Sequence, residues 1–379
     1  MLKPTTKRIT FFSQSLQRTG SEIVLFNLLQ NLEPDWEAHL ISIYPGVLDK
    51  LLPPSISRSS LFESAPSDTF QSRVRRFLGR KFQVPRKLES VRDSLWYVNT
   101  IVLPDLLEYA EKHGIRLVVH VHELEQMFEL LNKEQQKSLI EYPEWIIANS
   151  NTTASVLTHF GRKDRLSVCY PGIETNKIKK DPIKYAEIRK TLGIGSDKFV
   201  WLMSGTLDRN KDPLLFVEVA SRLIRKRPEA MFVWLGGTAD KAFEAECKQA
   251  ALAQGLQHVL FWIGNTGDAY SDYFNCADGF ILSSKRESFS LVTLEALLLG
   301  LPVVSRNCGG VAEILKDDIG KIVQGEDTAG QMAFEMEQFM NQSQVADTVK
   351  ERLRAQEFDI SAVLPKWKRT MNEILIPKL

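Results

Sequence analysis

The sequence predicts an α/β protein built as two parallel-sheet domains in tandem. Three observations carry this. At 379 residues the chain is longer than one hydrophobic core usually organises. Short β-branched or aromatic runs alternate with longer amphipathic ones almost throughout, the pattern of βαβ units. Between two such series lies a polar stretch, residues 170–197, where Pro171-Gly172 and the lysines Lys177, Lys179, Lys180 and Lys184 read as a linker.

In the first half the strand candidates are residues 9–12, 40–44, 95–98, 117–121, 145–148 and 166–169. In the second they are residues 199–203, 231–235, 259–262, 279–282, 303–305 and 321–323. The second set repeats the layout of the first without repeating its sequence, so two similar folds are expected rather than a solenoid. The boundary falls near residues 171–180. Open parallel sheets take ligands beyond the carboxyl ends of their strands, and two such edges facing each other predict a cleft.

Composition excludes several classes. A net charge of +1 gives no field to attract nucleic acid. Cys169, Cys247, Cys276 and Cys308 are far apart with no C-x-x-C pair, so neither a disulfide framework nor a structural zinc site is expected, and a reducing compartment is the simpler reading. The first residues lead into a strand-like run with no apolar segment of a secretory kind, and the apolar stretch around residues 297–304 is broken by Gly300 and Pro302. A cytoplasmic protein is expected. A nicotinamide enzyme lacks its G-x-G-x-x-G and a zinc protease its H-E-x-x-H.

The most informative stretch is Ser284-Lys285-Arg286-Glu287-Ser288-Phe289-Ser290-Leu291-Val292-Thr293-Leu294-Glu295-Ala296-Leu297-Leu298-Leu299-Gly300. It follows a strand, turns through polar residues and enters a helix capped by Ser290 and closed by Gly300. Apart from Thr293 and Glu295 that helix is apolar all round, which predicts burial. A carboxylate there is costly unless something specific bonds it, and the two hydroxyls of a ribose would do so. The helix start, with Ser290, Leu291 and Val292, offers free amides and a positive dipole end to a diphosphate. Glu287 sits where it can accept hydroxyls of a sugar. The bland alternatives are an ion-paired core residue for Glu295 and a surface loop charge for Glu287. The conjunction of strand, both acids, apolar helix and glycine argues for a site.

Upstream, Ser204-Gly205-Thr206-Leu207-Asp208-Arg209-Asn210-Lys211-Asp212-Pro213 closes a strand and opens a helix. Fixed cations after a glycine turn suit a pyrophosphate leaving group, against the alternative of solvated charges at a helix start. No Asp-x-Asp occurs, so the carboxylate pair that holds a divalent ion on a nucleotide sugar is missing and no metal is expected. In the first half, Leu16-Gln17-Arg18-Thr19-Gly20-Ser21-Glu22 forms a strand-to-helix turn, with the helix over residues 22–32. The run Val118-Val119-His120-Val121-His122-Glu123 ends another strand and places His120 and His122 on one face. A histidine bonded to backbone at a strand end is the alternative there. Asn99 and Asn149-Ser150 also sit at strand ends and read as architecture more than chemistry.

These motifs resemble those of the retaining GT-B glycosyltransferases of family 4. Glu287 and Glu295 fill both positions of the family's E-x7-E, and Gly309-Gly310-Val311-Ala312-Glu313 matches its Gly-Gly-x-x-Glu loop. The resemblance implies two Rossmann-like domains. Residues 1–172, joined by residues 361–379 of a returning last helix, would bind the acceptor, and residues 173–360 the donor. That last helix is seen in the spacing of Val363, Leu364, Trp367 and Met371. It also implies transfer of a hexose-type sugar from a nucleotide diphosphate sugar to a saccharide, lipid-linked or small-molecule hydroxyl, without metal or other cofactor. Glu295, the helix amides and Lys211 would clamp the nucleotide, while Glu287 and the backbone at Ser288, Phe289 and Ser290 position the sugar. The family's His-Glu terminus maps to His122, facing the sugar, with His120 and Asn99 on the acceptor side. The backbone around Gly20 would lie near the donor phosphates, with Thr19 in place of the family's first glycine. Thr206 stands where the family carries an arginine, and Arg209 is the candidate to supply that charge. A nucleotide-sugar epimerase of the same fold and a non-catalytic binding protein are the rivals.

Arg73, Arg75, Arg76, Arg80, Lys81, Arg86 and Lys87 interleave with Val74, Phe77, Leu78 and Phe82. This basic amphipathic segment suits an anionic membrane surface, which would make the protein peripheral on the inner face, or an anionic acceptor groove, or plain solvation.

Overall fold

The computed structural model describes residues 7–63, 86–316, 318–342 and 348–375. The chain divides into two units, Met1–Gly172 with Ile360–Leu379, and Ile173–Asp359. Each is a doubly wound α/β fold.

In unit 1 the strands are β1 (Lys7–Ser13), β2 (Trp36–Ser42), β3 (Ser57–Ser60), β4 (Leu95–Val98), β5 (Leu117–Val121), β6 (Trp145–Ala148) and β7 (Leu166–Val168). They lie in the order β3-β2-β1-β4-β5-β6-β7, every pair parallel. In unit 2, β8 (Phe199–Ser204), β9 (Ala230–Leu235), β10 (Leu260–Gly264), β11 (Gly279–Leu282), β12 (Val303–Arg306) and β13 (Lys321–Val323) run β10-β9-β8-β11-β12-β13, again all parallel. β4, β5 and β11 are buried at every position, as strands covered on both faces must be, and their continuous apolar runs are what makes that possible. On one face of the first sheet Phe12 and Trp96 pack with ring centroids 4.6 Å apart, within a core that includes Val98, Val119 and Ala148.

Strand order reverses once in each sheet, between β1 and β4 and between β8 and β11. Successive connections leave to opposite faces at such a point, so the loops beyond the strand ends part and open a crevice within the unit.

The last helix, Ile360–Leu375, belongs to unit 1, as its apolar spacing and the family resemblance lead one to expect. Leu364, Trp367, Met371 and Ile374 are its buried side, and the Trp367 Nε1–H donates to the Tyr97 hydroxyl at 3.0 Å. Among the described residues no helix is long and apolar enough to cross a membrane. Of the basic segment, Arg73 through Lys81 lie outside the described residues, and Arg86 and Lys87 enter only as backbone of the short helix Arg86–Glu89.

Four expectations need correction. β3 was not foreseen: Ser57-Arg58-Ser59-Ser60 carries no apolar alternation, because an edge strand paired only to β2 buries little. The second strand starts at Trp36 and ends at Ser42, and the first helix spans Gly20–Leu29 rather than residues 22–32. The stretch 170–197 is not all linker, since it contains the helix Pro182–Leu192. The Asp181 carboxylate caps that helix through Ile183 N and Lys184 N, Pro182 starts it, and Gly193 ends it at φ 68°. Hydrophobic periodicity is weak there because a charge does the docking. Arg189 is buried, with Nε bonded to Cys276 O at 3.1 Å, Nη1 to Lys198 O at 2.9 Å and Nη2 to the Asp278 carboxylate. Replacing it by alanine strands Asp278 and two carbonyls, so Arg189→Ala is expected to destabilise unit 2 by about 3–5 kcal/mol. Chemical denaturation followed by tryptophan fluorescence checks this, and a loss below about 1 kcal/mol would make the docking incidental.

Candidate functional site

In unit 2 the loop leaving β8 is shaped by Asp208, whose Oδ1 accepts from Asn210 N and Lys211 N, each at 2.9 Å. This turn sends the Lys211 stem back across Gly205, where a Cβ would come within 3.1 Å of Lys211 Cε. The loop leaving β11 is stitched to it: Ser283 Oγ donates to Lys211 O at 2.7 Å, Lys285 N to Asn210 O at 2.7 Å, and Asn210 Nδ2 to Arg286 O at 3.0 Å. Lys211 Nζ and Glu287 Oε1 then meet at 2.6 Å. Glu287 is buried, so the surface-charge reading of it does not hold. Burial alone would lower the Lys211 pKa, but the Glu287 carboxylate more than offsets this and the net shift is upward, so the ammonium stays charged.

The glycine loop after β12 closes the far side. Glu287 N donates to Cys308 O and Gly310 N to Glu287 O, both at 2.7 Å. A Cβ on Gly310 would lie 2.0 Å from Ser288 O, and Gly309 sits at φ 101°, so both positions require glycine.

The helix Leu291–Leu298 begins at Ser290, but the Ser290 hydroxyl pairs with Thr293 Oγ1 at 2.8 Å instead of capping a backbone amide. The first-turn amides therefore gain no side-chain cap, which leaves the dipole end to a ligand. Phe289 is buried with its ring 5.3 Å from Phe358, so only its backbone belongs to the site, and Ser288, Leu291 and Val292 are half-buried. Among the described residues Glu295 has no ion-pair partner. Its Oε2 accepts from the Tyr270 hydroxyl at 3.0 Å, and that hydroxyl also lies 2.9 Å from Ser204 Oγ. The Glu295 residue is partly exposed, yet its carboxyl is enclosed, and this desolvation, against the lowering bond from Tyr270, pushes its pKa up to about 7.

Arg209 does not join Lys211. Its guanidinium pairs with Glu246 at 3.3 Å and lies 4.4 Å over the Phe243 ring, directed to the helix Lys241–Ala253, while Thr206 is exposed. The charge that an arginine at 206 would bring is not replaced by Arg209 in this arrangement. Sequence reasoning also missed Tyr270, which sits in the short helix Tyr270–Phe274 outside every motif. The turn role of Asp208 was open to detection, since Asp and Asn bond amides two and three residues on.

In unit 1 the equivalent crevice is built from carboxylates. Glu22 is buried and takes Ser15 Oγ, Gln17 N at 2.9 Å and Thr19 Oγ1 at 2.8 Å, which fixes the turn before the helix Gly20–Leu29. Thr19 is extended at φ −103°, a conformation that needs no glycine, and a Cβ on Gly20 would meet nothing within 4 Å. Glu123 takes Thr100 Oγ1 and His122 N, binding the ends of β4 and β5 together.

His120 is buried against the Tyr97 hydroxyl, which lies 2.7 Å from its Nδ1, and its ring is 4.1 Å from that of His122. Asn99 Nδ2 donates to Ser21 O at 2.9 Å, which fixes Asn99 Oδ1 as the acceptor 3.0 Å from His122 Nε2. His122 is therefore protonated on Nε2 and bare on Nδ1. Burial pushes its pKa down to about 3, so the ring is a neutral acceptor. Asn149 and Ser150 serve the helix Asn151–His159: Ser150 Oγ caps Thr153 N at 3.0 Å and Asn149 Oδ1 accepts from Thr153 Oγ1 at 2.7 Å. Among the described residues no group of three or more His, Cys, Asp or Glu side chains is placed to hold a metal ion.

A pair of doubly wound parallel sheets, with a charged crevice in the second and the last helix returned to the first unit, is the GT-B fold. Residues 18–177 match the family model described as Glycosyltransferase Family 4, and residues 184–356 that described as Glycosyl transferases group 1. The chain belongs to the GT4-like GT-B glycosyltransferases. It is 28% identical over 229 residues to D-inositol 3-phosphate glycosyltransferase of Paenarthrobacter aurescens strain TC1, covering 56% of this chain and 55% of that one. It is also 28% identical over 197 residues to the lipopolysaccharide core biosynthesis mannosyltransferase LpsB of Rhizobium meliloti, covering 50% and 54%. The chain thus spans about half the length of the curated relatives it matches. Among solved structures, HepE of Anabaena in complex with UDP and glucose superposes with a TM-score of 0.79 at 18% identity, covering 96% of this chain and 99% of that one. Sucrose-phosphate synthase of Thermosynechococcus elongatus gives 0.76 at 15%, covering 97% and 99%. At those identities the likeness is one of fold.

Two measurements test this geometry. Nitrogen-15 correlation spectra of the imidazoles are expected to show His122 as the Nε2–H tautomer, and Asn99→Asp to raise its midpoint by roughly one unit or more. An Nδ1–H tautomer in the wild type would remove the hydrogen-bond argument. Glu295, with its folded pKa above its unfolded one, contributes stability that is present below about pH 4.5 and lost as pH rises through about 7. Glu295→Gln is expected to stabilise the protein by about 2 kcal/mol at pH 8 and hardly at all at pH 5, read from denaturant midpoints.

Proposed function

We propose that the protein is a retaining, metal-independent glycosyltransferase whose unit 2 binds a nucleotide diphosphate sugar. The observation that carries this is the Lys211–Glu287 contact of 2.6 Å at the strand-order reversal, beside a helix start whose serine does not cap it. A fixed ammonium and first-turn amides are the donors a leaving diphosphate needs. Glu295 accepts the ribose hydroxyls. Glu287, paired with Lys211, accepts hydroxyls of the sugar, which the Ser288–Ser290 backbone also positions. Lys211 takes the place that a divalent ion fills where an Asp-x-Asp pair is present. HepE, solved in complex with UDP-glucose, supports a hexose-type donor of this class.

In the reaction, the bond from the anomeric carbon to the β-phosphate oxygen breaks and the bond to the acceptor oxygen forms on the same face. The acceptor proton passes to the departing phosphate oxygen, so no enzyme nucleophile is required. Unit 1 is assigned to the acceptor, where the bare His122 Nδ1 suits a hydroxyl and Asn99 and His120 hold that ring. A neutral imidazole favours a saccharide, lipid-linked or other hydroxylated acceptor there.

The test is a thermal-shift screen of nucleotide diphosphates and their sugars against wild type, Glu295→Ala and Lys211→Ala, since a ligand at about 100 times its Kd adds roughly 2.7 kcal/mol of stability. A shift in wild type that both variants lose is expected. No shift with any nucleotide would end the donor-site reading. Release of an altered free sugar nucleotide without acceptor would convert it to an epimerase. Proton NMR of the first product, retaining the donor's anomeric configuration, checks the stereochemistry.

A further inference from the structure

Tyr270 lies outside the E-x7-E motif, yet its hydroxyl is the polar partner of the motif's second acid. The ring is carried on the helix Tyr270–Phe274 and packs on Phe274 with centroids 5.3 Å apart. A phenol has one proton to give. Beside a carboxylate it donates to Glu295 Oε2 at 3.0 Å and must then accept from Ser204 Oγ, 2.9 Å away. Ser204 is buried at the end of β8, the strand whose exit loop carries Lys211. A one-way chain, Ser204 to Tyr270 to Glu295, therefore runs from the strand end to the carboxylate. It leaves Oε1 without a bond from Tyr270.

We propose that Tyr270 is a positioning residue for the donor nucleotide: by holding Oε2 it fixes the Glu295 carboxylate in rotation and in its ionised form, so that Oε1 meets a vicinal diol. This rests on Glu295 being the acceptor of ribose hydroxyls. A protonated carboxyl accepts less well and would present a hydrogen toward the diol, so the state of Glu295 governs how well the site binds. Desolvation pushes Glu295 toward that protonated state, and the bond from Tyr270 opposes it. Lys211 and Glu287, on the loops after β8 and β11, are paired with each other. Tyr270 also acts on specificity. With one oxygen already engaged, the carboxylate discriminates between a ligand offering both hydroxyls and a deoxy analogue offering one.

The test uses the full chain and uridine or guanosine diphosphate, whichever shifts the wild type, with Kd measured by calorimetry between pH 6 and 8.5. Tyr270→Phe removes one oxygen and keeps the packed ring. It is expected to weaken nucleotide binding by roughly 10-fold at pH 7 and to move the acid limb of the affinity profile upward, while the 2′-deoxy nucleotide loses less on the same substitution. The titration of the nucleotide's own phosphate is common to both proteins and drops out of the comparison. Incorporation of 3-fluorotyrosine at 270, a stronger donor of the same shape, is expected to move the limb the other way and covers the case in which the phenylalanine variant folds poorly. If Glu295→Ala weakens binding but neither change at 270 moves Kd or the limb, the role of Tyr270 is overturned and the donor site stands. If Glu295→Ala itself leaves Kd unchanged, the ribose reading fails, and the proposal with it.

Discussion

A charge buried alone is the arrangement a folded chain tolerates least, and the loops of unit 2 are arranged around that constraint. Lys211 comes from the loop after β8 and Glu287 from the loop after β11, the two connections that diverge where strand order reverses. Removing either partner leaves the other uncompensated, a cost of about 3–5 kcal/mol. The ion pair therefore does more than supply charge: with Ser283 on Lys211 O and Asn210 on Arg286 O, it keeps two loops in register that topology alone would let part. The far wall of the crevice is set from there, because the glycine loop at 309–310 closes on Glu287 through backbone bonds that accept no side chain.

The two motif acids show how neighbours decide what a carboxyl group can do. Glu287 has a cation at 2.6 Å, while Glu295, in the same segment, has only a hydroxyl and a pKa near 7. One is paired with an ammonium in the free protein. The other carries its charge at a cost that the fold does not offset by itself. A ligand that donates two hydroxyls relieves that cost on arrival, so part of its apparent affinity is the removal of a strain already present. Unlike surroundings of like residues are how a site separates permanent electrostatics from binding selectivity.

Much of this was legible in the residues. The βαβ alternation located most strands because both-face burial demands continuous apolar runs, and the sequence around Glu287 and Glu295 pointed to one site because helix, loop and acids occur in a single segment. Local pattern failed wherever a lone polar contact replaced periodic burial. Ser57–Ser60 pairs at an edge without an apolar face, and Pro182–Leu192 docks through Arg189 rather than through a hydrophobic stripe. Arg209 looked like a phosphate ligand by position, but position along a chain does not give direction, and the Phe243 ring and Glu246 draw it aside. Tyr270 was invisible because its partner is 25 residues away, a contact that only the sheet order creates.

Unit 1 solves the same topological problem with opposite chemistry, and that difference bears on which ligand each unit suits. Its reversal loops are held by Glu22 and Glu123, both bonded to backbone amides and hydroxyls and, among the described residues, neither to a cation. Glu22 stands in the first turn of the helix Gly20–Leu29, where it already engages the positive end of the helix dipole. A phosphate arriving at Gly20 would find open space but a partly neutralised field. In unit 2 the corresponding helix start has no acid in its first turn and a fixed ammonium in the neighbouring loop. On the proposed reading, the anionic part of the donor is therefore stabilised by unit 2, and the neutral face of His122 leaves unit 1 to hydroxyl groups, a division that follows from where each carboxylate found its partner.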